Sequence, residues 1–322
     1  MPDLHLLAYQ CLFFGSHLVW PFIAWSIWRY RKLRRSQRGH RRDSRLGKFA
    51  LAARLLIAFT FVWARFVEPN WIVERNTTIS LVGSTARPTR IALISDAHQG
   101  TYKDAAFLQR VVDKLNQQEL DCVLIAGDHL YGTSQSLEQL FAPYKTLRHR
   151  AYVVNGNHDS NELMQHGQRR PVASEAVRRV TAALAQVNLP LIENQIVDCG
   201  GVAIAGIGDR WSGEEDVRHI QAYRGSKPLI ALTHNPDTHD KLRDTSVKLL
   251  LAGHTHGGQI RIPWLYKLVL PVRGPFDRGL HAPPLLSHGP PVFVTSGLGE
   301  TALPFRLFNP PVIDLLTLRE RP

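Results

Sequence analysis

An α/β fold carrying an N-terminal membrane-anchoring helical segment is predicted by three features of this 322-residue chain. From residue 90 onward, short apolar, β-branched runs alternate with helix-like stretches, the pattern of strands joined by helices. Polar residues with metal-binding chemistry stand directly after those runs. Residues 4–28 lack any formal charge and lead into a dense basic run.

Taken in order, residues 4–28 give 25 positions. As a helix they reach about 37 Å, enough to cross a ~30 Å hydrocarbon core. Trp25, Trp28 and Tyr30 gather at the basic end, where interfacial aromatics belong. With no positive charge in the leader and no small-x-small cleavage site, a spanning helix is expected rather than a signal peptide. Residues 29–48 form a basic loop with ten Lys or Arg against Asp43, +9 of the net charge of +12. Such a local run beside a membrane segment suits a bilayer with anionic headgroups, and a nucleic-acid partner is not expected. A second apolar helix follows at 49–67, broken by Arg54, Thr60 and Arg65. It either spans with strained ends or lies on the surface. Because basic loops stay in the cytoplasm, that choice decides which side the rest of the chain occupies. Glu68-Pro69-Asn70 ends the helix, dividing an anchor (1–70) from a globular domain (71–322).

In that domain an opening hairpin is expected over 77–90, then strands at 91–95, 122–126, 152–155, 202–207, 229–232 and 249–252. Helices are expected at 104–117, 136–147, 174–187 and 214–223. The apolar stretch 260–272 is expected to pack on the core, with an acyl-chain wall as the sharper alternative. Cys11, Cys122 and Cys199 are odd in number and widely spread. They suggest neither a disulfide framework nor a thiolate metal site, and leave the compartment open.

The chemistry lies in five stretches: Asp96-Ala97-His98, Gly127-Asp128, Gly156-Asn157-His158-Asp159, Thr233-His234-Asn235 and Gly253-His254-Thr255-His256. Each follows a strand run and so sits at the carboxyl edge, where open α/β sheets bind ligands. Carboxylate, imidazole and amide oxygen suit Mn, Fe, Zn or Mg. A carboxylate between two such ions would hold them about 3.5–4 Å apart. Singly the stretches are weak, since Asp-x-His pairs are mostly surface residues and Gly-Asp is usually a turn. Together, in this order, they are specific.

That order resembles the calcineurin-like metallophosphoesterase superfamily over about residues 90–316. Stretches 233–237, 253–259 and 297–311 are similar to its membrane-associated bacterial branch, which includes diphosphatases acting on UDP-2,3-diacylglucosamine in lipid A synthesis. The resemblance implies a two-sheet β-sandwich flanked by helices and two divalent metal ions, Mn first among the expectations. It gives one ion Asp96, His98, Asp128 and His256, and the other Asp128, Asn157, His234 and His254. Asp128 is then the bridge. His158 is left to protonate the leaving oxygen, a role worth roughly 10²–10⁴-fold. Tyr131 stands where protein phosphatases of the superfamily carry a second acid. Protein dephosphorylation is therefore not expected, and Asp159 or the Tyr131 hydroxyl is left to orient His158. His129 is expected to be exposed or hydrogen-bonded, and Ala97 to alter packing only. Arg210, after the 202–207 strand, is either a phosphate clamp or a surface arginine. The expected partner is a phosphorylated amphiphilic substrate at the bacterial cell membrane. Rival expectations are an exported phosphodiesterase acting on envelope polymers or nucleotides, a nuclease, and a non-catalytic membrane scaffold.

Overall fold

The computed structural model describes residues 11, 14–36, 41–81, 87–132, 136–160, 174–282 and 288–320. Most of the first half of the expected 4–28 helix lies outside them. Helices α1 (Val19–Ser36) and α2 (Arg41–Val62) pack against each other. They run antiparallel. Beyond the end of α2, Arg65 Nε donates to Ser16 Oγ at 3.0 Å, just ahead of α1. Phe66 there meets the rings of His17 and Trp20 at 5.1 and 6.1 Å. The expected basic loop is largely helical instead, because Lys and Arg are good helix formers. Arg45–Asn70, 26 residues, is the one helical stretch among the described residues long and apolar enough to cross a membrane. Leu46, Phe49, Leu56, Ile57 and Phe59 are each more than 60 % exposed along it. After α2 the chain makes a π-type turn (Trp63–Val67) and a 3-10 turn (Glu68–Asn70).

The strands are β1 (Val73–Leu81), β2 (Thr89–Ile94), β3 (Gln99–Gly100), β4 (Cys122–Ala126), β5 (Leu130–Tyr131), β6 (Ala151–Val154), β7 (Ile196–Cys199), β8 (Val202–Gly206), β9 (Leu229–Leu232), β10 (Val247–Ala252), β11 (Gly279–His281), β12 (Val292–Val294) and β13 (Val312–Glu320). They form a five-stranded sheet, β1-β13-β2-β4-β6, facing a six-stranded sheet, β11-β12-β10-β9-β8-β7, with a small β3-β5 pair beside the site. Alternation decides the layers. Ile91 and Leu93 of β2 enter the core between the sheets with Leu124, Ile230, Leu232, Leu249 and Leu251. Ala92 and Ile94 face outward, towards helices α3 (Ala105–Leu115), α4 (Leu137–Phe141) and α5 (Ser174–Ala185). Helix α3 starts where Asp104 accepts from the Phe107 N–H at 2.8 Å, a capping bond that satisfies one of the helix's free donors. β2, β4 and β6 run parallel, as do β8, β9, β10 and β12, so their carboxyl ends gather at one edge.

Four expectations need correcting. The 77–90 hairpin does not form: β13 inserts between β1 and β2, parallel to the first and antiparallel to the second. A strand from the far end of the chain completes the sheet, which local pattern cannot foresee. The 214–223 helix shrinks to one turn, α6 (Arg218–Gln221), because the Asp216 carboxylate takes the Arg218 N–H at 2.9 Å just ahead of it. Cys122 and Cys199 form a disulfide, their Cα atoms 5.8 Å apart across 77 residues. Cys122 starts β4 in one sheet and Cys199 ends β7 in the other, so the bond joins the two sheets. Finally, residues 262–269 do not pack on the core, for Trp264, Leu265, Leu268 and Val269 are 84, 57, 81 and 72 % exposed.

Candidate metal centre

The seven expected ligands come from five strand ends: Asp96 and His98 after β2, Asp128 after β4, Asn157 after β6, His234 after β9, and His254 and His256 after β10. All seven are buried. Asp96, His98, Asp128, His254 and His256 have φ between 47° and 72°, the left-handed region that non-glycine residues avoid. Each such residue costs about 1–2 kcal/mol, and strain of this kind persists where surrounding structure enforces it. Gly156 permits the approach of two turns, since a Cβ there would collide with Asp128 Oδ1.

Backbone carbonyls set the imidazoles. His234 Nδ1 donates to Ala126 O at 2.7 Å, His254 Nε2 to Pro271 O at 3.2 Å, and His256 Nδ1 to Gly299 O at 3.0 Å. A carbonyl only accepts, so in each neutral ring the other nitrogen turns a lone pair inward. His234 Nε2 faces Asp128 Oδ2 at 3.2 Å, Asn157 Oδ1 at 3.2 Å and His254 Nδ1 at 3.1 Å. His98 Nε2 lies 3.3 Å from Asp128 Oδ2, and His256 Nε2 lies 3.4 Å from Asp96 Oδ1. Asp96 Oδ1 and both His98 ring nitrogens are buried without a hydrogen-bond partner among the described residues. So many converging acceptors suit a bound cation. The residues fit divalent metal, and two groups have metal-holding geometry, Asp96 with His98 and His256, and Asp96 with Asp128 and His234.

Electrostatics follow from burial. It pushes the Asp96 carboxyl up to about 7, His98 down to about 4 and His254 down to about 3. Burial would also raise Asp128 and lower His234, but each charge holds the other the opposite way. The carboxyl stays well below, and the imidazole well above, its ordinary value. A metal ion would compete with that proton for His234 Nε2.

His158 stands apart. It is half-buried and lines a cavity of about 430 Å³, with Asp128, Asn157, His254 and His256 at the floor and Trp211, Ile260, Val269, Pro271 and Leu303 among the walls. Its N–H donates to Asp128 Oδ1 at 2.9 Å. The rings of Tyr131 and His98 flank it edge-on at 5.0 and 5.1 Å. Asp159 does not orient it: its oxygens accept from the N–H groups of Gly156, His129 and Leu130, at 2.8, 2.8 and 3.2 Å. The Tyr131 hydroxyl accepts from Ala302 N at 3.0 Å, so this side chain touches His158 through its ring. His129 is buried and hydrogen-bonded to Val154 O at 3.1 Å rather than exposed.

Arg210 is outside the site. Its guanidinium pairs bidentately with Asp240 at 2.6 and 2.8 Å, donates to Asp237 O at 2.7 Å, and opens on another cavity. The phosphate-clamp reading fails because Asp240 takes the fork. Sequence reasoning missed the supports behind the ligands. Fully buried Arg306 donates to Gly299 O at 2.5 Å, the carbonyl that holds His256, and to Glu300 Oε1 at 3.2 Å. Asn309 Nδ2 donates to His256 O at 2.6 Å, while Asn309 N donates to Glu68 Oε1. Lys103 pairs with Glu300 at 3.2 Å and donates to Pro69 O. The only signal for Glu300, Arg306 and Asn309 was the 297–311 stretch, which carries no ligand, and none pointed to Lys103.

A family model described as calcineurin-like phosphoesterase matches residues 89–258. An uncharacterized metallophosphoesterase of Helicobacter pylori is 27 % identical, covering 87 % of this chain and 73 % of its own. Phosphodiesterase YaeI of Escherichia coli is 26 % identical over 69 % of this chain and 81 % of its own. UDP-2,3-diacylglucosamine pyrophosphatase LpxG of Chlamydia trachomatis is 25 % identical over 64 % of this chain and 75 % of its own.

Proposed function

The chain belongs to the calcineurin-like phosphoesterase family, whose metal-dependent phosphoester hydrolysis it shares, and from that premise we propose a membrane-anchored dinuclear enzyme that cleaves a phosphodiester or diphosphate bond in an amphiphilic substrate. The observation that carries this reading is the cavity, which joins the buried ligand cluster to a wall of Ile260, Val269, Pro271 and Leu303. A phosphorylated head fits the floor and an apolar tail fits the wall.

Asp96, His98, Asp128 and His256 would hold one ion and Asp128, Asn157, His234 and His254 the other, with Asp128 Oδ2 between His98 and His234. Ions held there would supply charge that polarises the phosphoryl oxygens. The protein's own part is to fix the donor atoms, admit the attacking water, and set His158 where it can give a proton to the leaving oxygen. Mn²⁺ is the ion to test first.

The name of the chlamydial relative supports a UDP-2,3-diacylglucosamine-type lipid as substrate. Two observations favour a second reading, an exported phosphodiesterase acting on envelope amphiphiles. Disulfides persist mainly outside the reducing cytoplasm, and Cys122–Cys199 is one. The antiparallel helices also keep their basic ends, Ser36 and Arg41, away from the globular body, because Ser16 meets Arg65 at the near end. If the hairpin spans, the basic end stays inside, so the body lies outside.

The test is hydrolysis by the full chain in vesicles after chelation and Mn²⁺ return. Restored cleavage of a diacylated sugar nucleotide or of an envelope phospholipid supports the amphiphile reading and separates its two versions. Activity on water-soluble diesters alone, with neither lipid turned over, would sink it.

A further inference from the structure

Residues 260–276 leave the site as an arm with an unusual surface. Trp264, Leu265, Leu268 and Val269 are 57–84 % exposed on consecutive turns, and Phe308 beside them is 65 % exposed. Scattered exposed apolar residues are ordinary, but a cluster of this size marks a contact. Among its cations Arg261 is paired with Asp277 at 3.0 Å and Arg273 lines the Arg210 cavity, which leaves Lys267 beside the exposed apolar residues. A cationic, tryptophan-tipped apolar surface has the composition of elements that lie in a bilayer interface.

The arm is strapped to the foot of the apolar helix. Ile260 bridges to Leu307, and Arg261 N donates to Leu307 O at 2.9 Å. One residue away, Arg306 N donates to Ala64 O at 2.9 Å, and Phe305 packs edge-on against Phe61 at 5.0 Å. Arm and helix therefore leave the globular body at adjoining places. Val269, at the arm's end, also lines the metal cavity. We infer that the 262–269 arm is an interfacial docking element that seats in the anionic surface of the bilayer holding α2, so that the cavity opens onto the lipid. A lipid-borne substrate then reaches the ions without leaving the membrane. A protein partner would fit the apolar residues equally, but not their continuity with a helix of membrane-spanning length.

Docking stands on the surface composition and on the arm's continuity with α2; the delivery of substrate rests on the amphiphile reading above. The experiment uses the full chain with Cys11→Ser, reconstituted in phosphatidylethanolamine–phosphatidylglycerol vesicles. A polarity-sensitive dye is placed by Leu268→Cys, by Ile57→Cys on α2, or by Glu138→Cys on α4. The dye at 268 should be quenched by nitroxide-bearing lipid and shielded from iodide, as at 57 and unlike 138. Iodide access at 268 equal to that at 138 overturns the docking. Water access at 57 instead sinks the membrane anchor, a separate failure.

Activity supplies the second arm. Trp264→Ser with Leu268→Ser should lower hydrolysis of vesicle-borne cytidine-diphosphate diacylglycerol by about tenfold or more. Hydrolysis of bis(p-nitrophenyl) phosphate should stay unchanged. Equal loss on both substrates would make the arm part of the site's structure and overturn delivery from the membrane. A wild type that spares the lipid while the dye at 268 is buried would overturn the substrate reading and leave docking standing.

Discussion

Asp128 carries the heaviest demands of any side chain in the site. Its carboxylate meets His98, His234 and the His158 N–H while wholly buried. Asp128→Ala should remove both metals by elemental analysis and abolish turnover. Asn157→Ala should weaken metal retention, whereas His158→Ala should keep the metals and lower turnover by roughly 10²–10⁴-fold. Equal metal loss in the last two would merge the roles of ligand and acid. Arg210→Ala should leave kcat/KM within about twofold, because that guanidinium serves Asp240. Glu193 gives a pH signature. Burial raises its carboxyl from 4.5 to about 7 although Asn155 N donates to it. The folded state thus binds the proton more tightly than the unfolded one. That stability is complete below about 4.5 and is lost as pH rises through about 7. Glu193→Gln should flatten the fall in Tm between these values, and an unchanged slope would assign it to other groups. The order of the five stretches, through the resemblance it carries, pointed to the seven residues that the strand ends bring together. The left-handed backbone at five of them was not legible in sequence, nor was Arg210's partner, which lies 30 residues away.

The strand ends did most to make the sequence readable. Each ligand stretch follows a parallel strand, and period-two burial in β2 and β4 separates the two cores. What stayed hidden is non-local. The pairing of β1 with β13 is set by residues more than two hundred positions apart, and the Cys122–Cys199 bond by 77. Helix α6 was overestimated because apolar periodicity ignores the competing Asp216 carboxylate. Closing a loop of 77 residues is worth about 4–5 kcal/mol in the chain-entropy account. Cys122→Ala with Cys199→Ala should therefore lower Tm clearly without changing metal content, as calorimetry and elemental analysis can check. Metal loss in parallel would mean the bond shapes the site as well.

At the scale of the molecule, the basic end of the hairpin and the globular body lie at opposite ends of a possible span. A C-terminal alkaline phosphatase fusion should be active, and a fluorescent-protein fusion dark. The opposite pair would place the body in the cytoplasm and leave the disulfide unexplained. The end of the 1–70 segment is bonded into the support of the site. Glu68 receives Asn309, Asn309 holds His256, and Lys103 reaches from Pro69 to Glu300. A clip after Asn70 would strip partners from buried donors two contacts from a metal ligand, and buried unpartnered groups are expensive. Such a cut is therefore expected to cost the site part of its support together with the N-terminal helices. The cleaved 71–322 domain should lose metal and activity together, and a cleaved domain that keeps both would show that the site stands without these contacts.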